Sequence, residues 1–211
     1  LYKDALTGVY NRRYFEEQIK KKNENAGVAV IDMDDFKLCN DTLGHSAGDA
    51  ALRTMVKTVK HCIRKTDILI RYGGDEFILI LQNIKKENFF NKLVQIQSDI
   101  HAANVPGFPK LQLSVSIGGV ISSKETVEHA VMQADKLMYQ AKEHKNMVVT
   151  EDNASYVAPG VANRKARQQI LIVDDSEMNR AILSEMLKKD FDILEAENGK
   201  ECLDILQQYG M

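Results

Sequence analysis

Apolar positions along this chain fall into short β-branched runs and longer stretches with helical spacing. The first strong run, Val28-Ala29-Val30-Ile31, ends on Asp32, Met33 and Asp34. It reads as a buried strand with acids at its carboxyl end, where α/β sheets place ligands. Ile68-Leu69-Ile70 and Phe77-Ile78-Leu79-Ile80-Leu81 are a second pair of strand-length runs, separated by Arg71-Tyr72-Gly73-Gly74-Asp75-Glu76. Two such runs joined by Gly-Gly predict a β-hairpin, because glycine reaches positive φ without steric cost. Leu111, Leu113, Val115 and Ile117 alternate with polar residues, as in a strand with one buried face, and Gly118-Gly119 is expected to close it. Met147-Val148-Val149-Thr150 reads as a short last strand.

Helical spacing fills the intervals. Asn11 is placed to cap a helix over residues 12 to about 22. Leu52, Met55, Val56, Val59 and Ile63 share one face of a longer helix; Phe89, Phe90, Leu93, Ile96 and Ile100 do so over about 86–103. Val127, Ala130, Val131, Ala134, Leu137 and Met138 repeat the pattern over 126 to about 143. Asp35-Phe36-Lys37 leads into a short turn of helix, and residues 40–49 read as a polar loop punctuated by Gly44 and Gly48. The order α, β, α, α, β, β, α, β, α, β mixes hairpin and crossover connections and predicts an α+β sheet with helices over it. The pattern lapses at 151–168, which carries Pro159-Gly160 and a basic Arg164-Lys165-Ala166-Arg167, and this reads as a linker whose charges are solvated. Residues 169–211 then open a β-α-β-α unit, with Ile170-Leu171-Ile172-Val173 running into Asp174-Asp175. About 40 residues do not close a doubly wound sheet, so 169–211 is expected to be the first part of a second domain.

Composition narrows the classes. With 211 residues, 44% hydrophobic and 27% charged, the chain has the make-up of a soluble globular protein. A net charge of -2, from 28 basic and 30 acidic residues, offers no global attraction for nucleic acid or anionic lipid. Three scattered cysteines without a CxxC pair argue against a disulfide framework or a zinc site and fit a reducing, cytoplasmic setting. No apolar run approaches membrane-spanning length, so no membrane contact is expected, and Leu1 at the start reads as a chain cut from a longer one.

Two acidic strand ends carry the candidate chemistry. In adjacent strands, Asp32 (with Asp34), Asp75 and Glu76 would converge at one edge of the sheet. Carboxylates without Cys or His suit Mg²⁺ or Mn²⁺, which take one or two carboxylates plus substrate phosphate oxygens. Asp35, Phe36 and Lys37 would present backbone N–H groups to phosphate at the start of a helix. Lys142 could reach a terminal phosphate. Asn40 and Asp49 have the acceptor and donor pattern for a purine edge, a carboxylate matching the two donors of guanine. The competing reading is an ordinary α+β domain with acids at its strand ends. His45 reads as a loop hydrogen-bonder and Cys39 as a small packed hydrophobe.

Five blocks in order then resemble the GGDEF-domain diguanylate cyclases over about residues 1–150: Asp4-x-Leu6-Thr7-Gly8-x-x-Asn11-Arg12-Arg13; Asp32-x-Asp34-x-Phe36-Lys37 with Asn40-Asp41, Gly44-His45 and Gly48-Asp49; Arg71-Tyr72-Gly73-Gly74-Asp75-Glu76-Phe77; Ser116-Ile117-Gly118; and Ala134-Asp135-x-x-Met138-Tyr139-x-Ala141-Lys142. The resemblance implies a nucleotidyl-cyclase-like palm, related to the ferredoxin-like arrangement. It implies that Asp32, the Met33 carbonyl and Asp75 hold metals, two Mg²⁺ or Mn²⁺ per half-site, with Glu76 supporting them or activating the attacking hydroxyl. Asp35, Phe36, Lys37, Lys142 and Lys145 would hold the triphosphate, and Asn40 and Asp49 guanine. Two GTP across a homodimer would give cyclic di-GMP and two pyrophosphates. Arg64-Lys65-Thr66-Asp67 resembles the family's RxxD product-inhibition site, against the bland alternative of a surface salt bridge. One departure stands out: Glu143-His144-Lys145-Asn146 is a residue shorter than the glycine-containing turn common in the family. The rival from another class is a non-catalytic GTP or cyclic di-GMP receptor; retention of Asp32, Asp75 and Glu76 favours the enzyme, and Asp49 favours GTP over ATP. Residues 170–180 resemble the opening of a flavodoxin-like response-regulator receiver, in which Asp174 and Asp175 would bind Mg²⁺ beside an acceptor aspartate on a third strand; that strand is expected past Met211.

Overall fold

The computed structural model describes residues 1–151, 156–157, 169–187 and 192–209. It divides into two compact units, Leu1–Pro159 and Gly160–Met211.

The first unit is built on β2 (Ala26–Met33), every residue of which is buried. β2 lies antiparallel between β4 (Glu76–Gln82) and β5 (Val115–Ser122). β3 (Ile68–Arg71) hairpins onto β4, β1 (Tyr10–Asn11) adds in parallel to β3, and β6 (Met147–Thr150) lies parallel to β5. Tyr156–Val157, inside the expected linker, form β7 antiparallel to β6 at the sheet's edge. The order is β1-β3-β4-β2-β5-β6-β7, a mixed α+β sheet.

Alternation along β2 dictates the layers. Ala29, Ile31 and Met33 point to the face covered by α3 (His45–Cys62) and α4 (Lys86–Ala102), where Leu52, Met55, Val56, Val59, Phe89, Leu93, Ile96 and Ile100 are buried. Val28 and Val30 point the other way, to Ala130, Ala134 and Met138 of α5 (Val127–Lys142). Thr126 caps α5, its hydroxyl accepting from the His129 N–H at 3.3 Å.

Several expectations are corrected. The strand expected to end at Gly118-Gly119 instead runs through them, over Val115–Ser122. A Cβ on Gly118 would land on the Ala134 carbonyl oxygen and the Met138 amide nitrogen, so the glycine is there to let α5 approach the sheet. The polar stretch 40–49 is helical rather than loop: α2 (Phe36–Leu43) and α3 meet at Gly44, which breaks the helix at φ 84°. His45 therefore opens α3, and Cys39 is half-buried on α2. The helix expected from Arg12 is a short α1 (Arg12–Tyr14) that passes into a π-helical turn over Phe15–Ile19; its Asn11 cap does accept from the Tyr14 N–H at 3.1 Å. The β3–β4 hairpin forms without positive φ at Gly73 or Gly74. A Cβ on Gly73 would meet Glu76 Oε2 at 2.7 Å, the movable end of a side chain, and one on Gly74 would meet nothing within 4 Å.

In the second unit β8 (Gln169–Val173) pairs in parallel with β9 (Asp192–Ala196), accompanied by α6 (Glu177–Leu187) and α7 (Gly199–Tyr209). Residues 152–155 and 158–168, including Arg164, Lys165 and Arg167, lie outside the described residues.

Candidate active site

The register brings the acids together. Asp32, second to last in β2, lies opposite Glu76, the first residue of β4. The Met33 N–H donates to the Asp75 carbonyl at 3.3 Å, so Asp75, Glu76, Asp32 and Met33 share one end of the β2–β4 ladder. The turn above them is braced: the Tyr72 and Gly73 N–H groups donate to the Glu76 carbonyl at 2.9 and 3.2 Å, and Arg71 donates to the Gly74 carbonyl at 3.0 and 2.6 Å.

Asp32 is only 2% exposed. Burial pushes its carboxyl up to about 6; Lys142 pulls in the other direction, and the neighbouring Asp75 and Glu76 charges add to the rise. Lys142, at the last turn of α5, puts Nζ 2.9 Å from Asp32 Oδ1. Burial works against its charge, but the Asp32 bond and the Asp75 and Glu76 carboxylates hold it above the ordinary lysine value. A carboxylate driven towards its neutral form by burial, with two other acids adding to the rise, is a group that a hard cation would keep ionised, and the donors are all oxygen. Among the described residues no three His, Cys, Asp or Glu side chains converge as a complete cage. Asp32, Asp75 and the Met33 carbonyl therefore suit a cation that draws its remaining ligands from elsewhere.

Beside the acids, Asp35 takes a left-handed φ of 55° and stands at the N-cap of α2, with Phe36 and Lys37 in the first turn. Lys145 Nζ bonds both Asp35 carboxylate oxygens, at 2.7 and 2.8 Å, so the shortened turn after α5 still delivers its lysine to this edge. Asn40 projects from α2 into the space a Cβ on Gly48 would occupy, adjacent in the chain to Asp49. Asp49 is half-exposed and 3.8 Å from Arg53.

Arg64 and Asp67 are elsewhere, at the far end of the hairpin from Gly73-Gly74. Asp67 accepts from the Arg64 N–H at 2.8 Å and from the Gln82 N–H at 3.0 Å. The expected alternative of an Arg64–Asp67 salt bridge does not form, and among the described residues no acid pairs with the Arg64 guanidinium. Arg64, Asp67, Lys92, Gln82 and Cys62 line a cavity of about 220 Å³.

Sequence reasoning misplaced one acid and missed one support. Asp34, grouped with the converging acids, instead accepts from the Ser114 hydroxyl, from the Ser116 hydroxyl at 2.7 Å and from the Asn146 N–H at 2.8 Å. Asp4 receives Arg71 Nη1 at 3.2 Å, and so braces the hairpin turn from the start of the chain. Both belong to the recognised blocks, but nothing in their spacing announces these partners.

The family model described as "Diguanylate cyclase, GGDEF domain" matches residues 1–147. The chain is similar to a probable diguanylate cyclase, DgcC, of Escherichia coli K12 (30% identical over 149 residues; 66% of this chain, 40% of the relative). It is also similar to diguanylate cyclase DgcS of Shewanella oneidensis (36% over 149 residues; 66% of this chain, 49% of the relative). It thus spans less than half the length of each of these curated relatives. Among solved structures, it resembles diguanylate cyclase SiaD of Pseudomonas aeruginosa, determined with its activator SiaC (TM-score 0.65, 30% identity, covering 70% of this chain and 61% of that one). The GGDEF domain of DgcB from Caulobacter crescentus, determined with c-di-GMP, shares the fold (TM-score 0.65, 24% identity, covering 72% and 96%).

Proposed function

The chain belongs to the GGDEF family of diguanylate cyclases, and from that premise we propose that it condenses two GTP into cyclic di-GMP across a homodimer. In each of two steps a 3′-hydroxyl oxygen bonds to the α-phosphorus of the facing GTP, and the bond from that phosphorus to pyrophosphate breaks. The observation that carries this reading is the placement of Asp32, Asp75 and Glu76 at one ladder end, with Lys142 already against Asp32.

The residues divide the work. Asn40 and Asp49 hold guanine, the carboxylate accepting from its two donors. Phosphate oxygens accept from the N–H groups of Asp35 and Phe36 at the start of α2, and Lys37, Lys142 and Lys145 neutralise them. Asp32, Asp75 and the Met33 carbonyl would hold Mg²⁺ or Mn²⁺, two per half-site, which when bound stabilise charge on the phosphates and make the hydroxyl more acidic. Glu76 completes the acidic set, as a support or as the base. Cyclic di-GMP would return to the Arg64/Asp67 cavity as an inhibitor, where the Arg64 guanidinium would meet its phosphate. Residues 169–211, after a linker over 151–168, read as the first part of a receiver that regulates pairing of two chains. Among the described residues no helix is long and apolar enough to cross a membrane, and a cytoplasmic setting is part of the proposal.

The test is direct. Concentrated chain with GTP and Mg²⁺ is expected to yield cyclic di-GMP and pyrophosphate by chromatography, and Asp75→Ala is expected to abolish both. Unchanged GTP with tight cyclic di-GMP binding that Arg64→Ala removes would replace the cyclase with a receptor.

A further inference from the structure

Three acids at and just past the end of β2 meet three groups at the end of α5 and in the turn that follows it. Lys142 lies 2.9 Å from Asp32, Lys145 bonds Asp35 at 2.7 and 2.8 Å, and the Asn146 N–H reaches Asp34 at 2.8 Å. Asp32 and Asp35 belong to the active-site reading, but Asp34 has no part in it. Its carboxylate is turned to the hydroxyls of Ser114, just before β5, and of Ser116, within it, and its own N–H donates to the Ser114 carbonyl at 2.9 Å.

The turn has reason to need such an anchor. Lys145 and Asn146 are both left-handed, at φ 53° and 47°, a conformation that costs a non-glycine residue roughly 1 kcal/mol or more. Asn146 is 2% exposed and is clamped on both sides: Asp34 takes its N–H, and the fully buried Gln97 donates to its carbonyl at 2.6 Å. With the peptide on either side of Asn146 held, the backbone origin of Lys145, one residue earlier, is fixed over Asp35. The acceptor for this clamp is a carboxylate already oriented by two serine hydroxyls.

We propose that Asp34 is a positioning residue for triphosphate: it touches no substrate, but through Asn146 it holds Lys145 where the terminal phosphates lie. This rests on the active-site reading above. The lysine side chain is long, and unless its backbone is pinned it loses many of the arrangements in which its charge meets phosphate.

The experiment is calorimetric titration of the full chain, in Mg²⁺, with a GTP analogue carrying a methylene between the α- and β-phosphorus, and separately with GMP. Asp34→Ala is expected to lower analogue affinity about tenfold while GMP affinity changes less than about twofold. Asp34→Asn should restore most of the loss, since its amide oxygen can accept from Asn146 while the Ser116 hydroxyl rotates to accept its NH₂. In a Lys145→Ala background, Asp34→Ala should add less than about twofold, because both act through one ammonium. If Asp34→Ala fails to fold, the double variant Ser114→Ala/Ser116→Ala leaves the carboxylate unsupported and should cost about threefold on the analogue alone. Equal losses on both nucleotides, an unchanged ratio, or losses that multiply with Lys145→Ala overturn the positioning role and leave the site intact. A wild-type chain that binds neither nucleotide overturns the active-site reading and this role with it.

Discussion

At the scale of the residue, Asp4 does what no periodicity foretold. Its carboxylate accepts from the Thr7 N–H and hydroxyl at 2.9 and 2.6 Å and from Arg71, which in turn holds the Gly74 carbonyl. One acid thus links the first turn of the chain to the loop that carries Asp75. Burial works to raise its pKa, but the Thr7 and Arg71 bonds outweigh it and the carboxyl sits below the ordinary 3.8. The unfolded chain therefore binds the proton more tightly than the folded one. The stabilisation is present above the unfolded value and is lost as pH falls through the folded one. Asp4→Asn is expected to cost about 2 kcal/mol at neutral pH, in urea unfolding. The gap between the two proteins should close as pH drops below 3.8; a gap that persists in acid would mean that the charge is not what Asp4 contributes.

At the scale of the element, α5 and β5 are the pair on which the site depends. α5 carries Lys142 at its end, and it approaches the sheet because Gly118, Ala130 and Ala134 leave no side chain in the way. Gly118→Ala would add a methyl against helix backbone rather than against a side chain able to rotate aside. It should destabilise by about 3 kcal/mol in denaturant unfolding. What remains folded should bind the GTP analogue less well, since α5 can yield only by moving Lys142 from Asp32. A stability close to wild type would show that the helix–sheet contact is looser than the geometry states.

At the scale of the whole molecule, the two units differ in what they can bury. The first closes a core on both faces of its sheet, with β2 wholly inside. The second pairs two strands and leaves Met178, Ile182 and Met186 of α6 exposed, one stripe at helical spacing. A chain ending at Pro159, the boundary of the first unit, is expected to melt in one transition within about 3 °C of the same transition in the full chain. Residues 160–211 alone should melt without cooperativity. A large drop in the first transition would show that the first unit leans on the second.

Read by itself, the sequence determined which segments could be strands and helices, because burial on a strand and burial on a helix leave different periods. Asp32, Asp75 and Glu76 were legible as candidate chemistry for a related reason: an acid at the end of an apolar run is not explained by the burial pattern that places the run. Glycine, short polar stretches and hydrogen-bonded acids were not legible in the same way. Gly118-Gly119 reads equally as the end of a strand or as room for a helix, and only the position of α5 chose between them. Residues 40–49 look like loop because helix α2 buries little, and only the structure shows Asn40 and Phe36 of α2 lying where a Cβ on Gly48 of α3 would be. Asp32 lies in β2 and Asp34 one residue past its end, yet one faces Lys142 and the other the hydroxyls of Ser114 and Ser116. Local sequence cannot separate them, because the partners that decide lie some 80 or more residues away and meet the strand only when the sheet and α5 have closed around it.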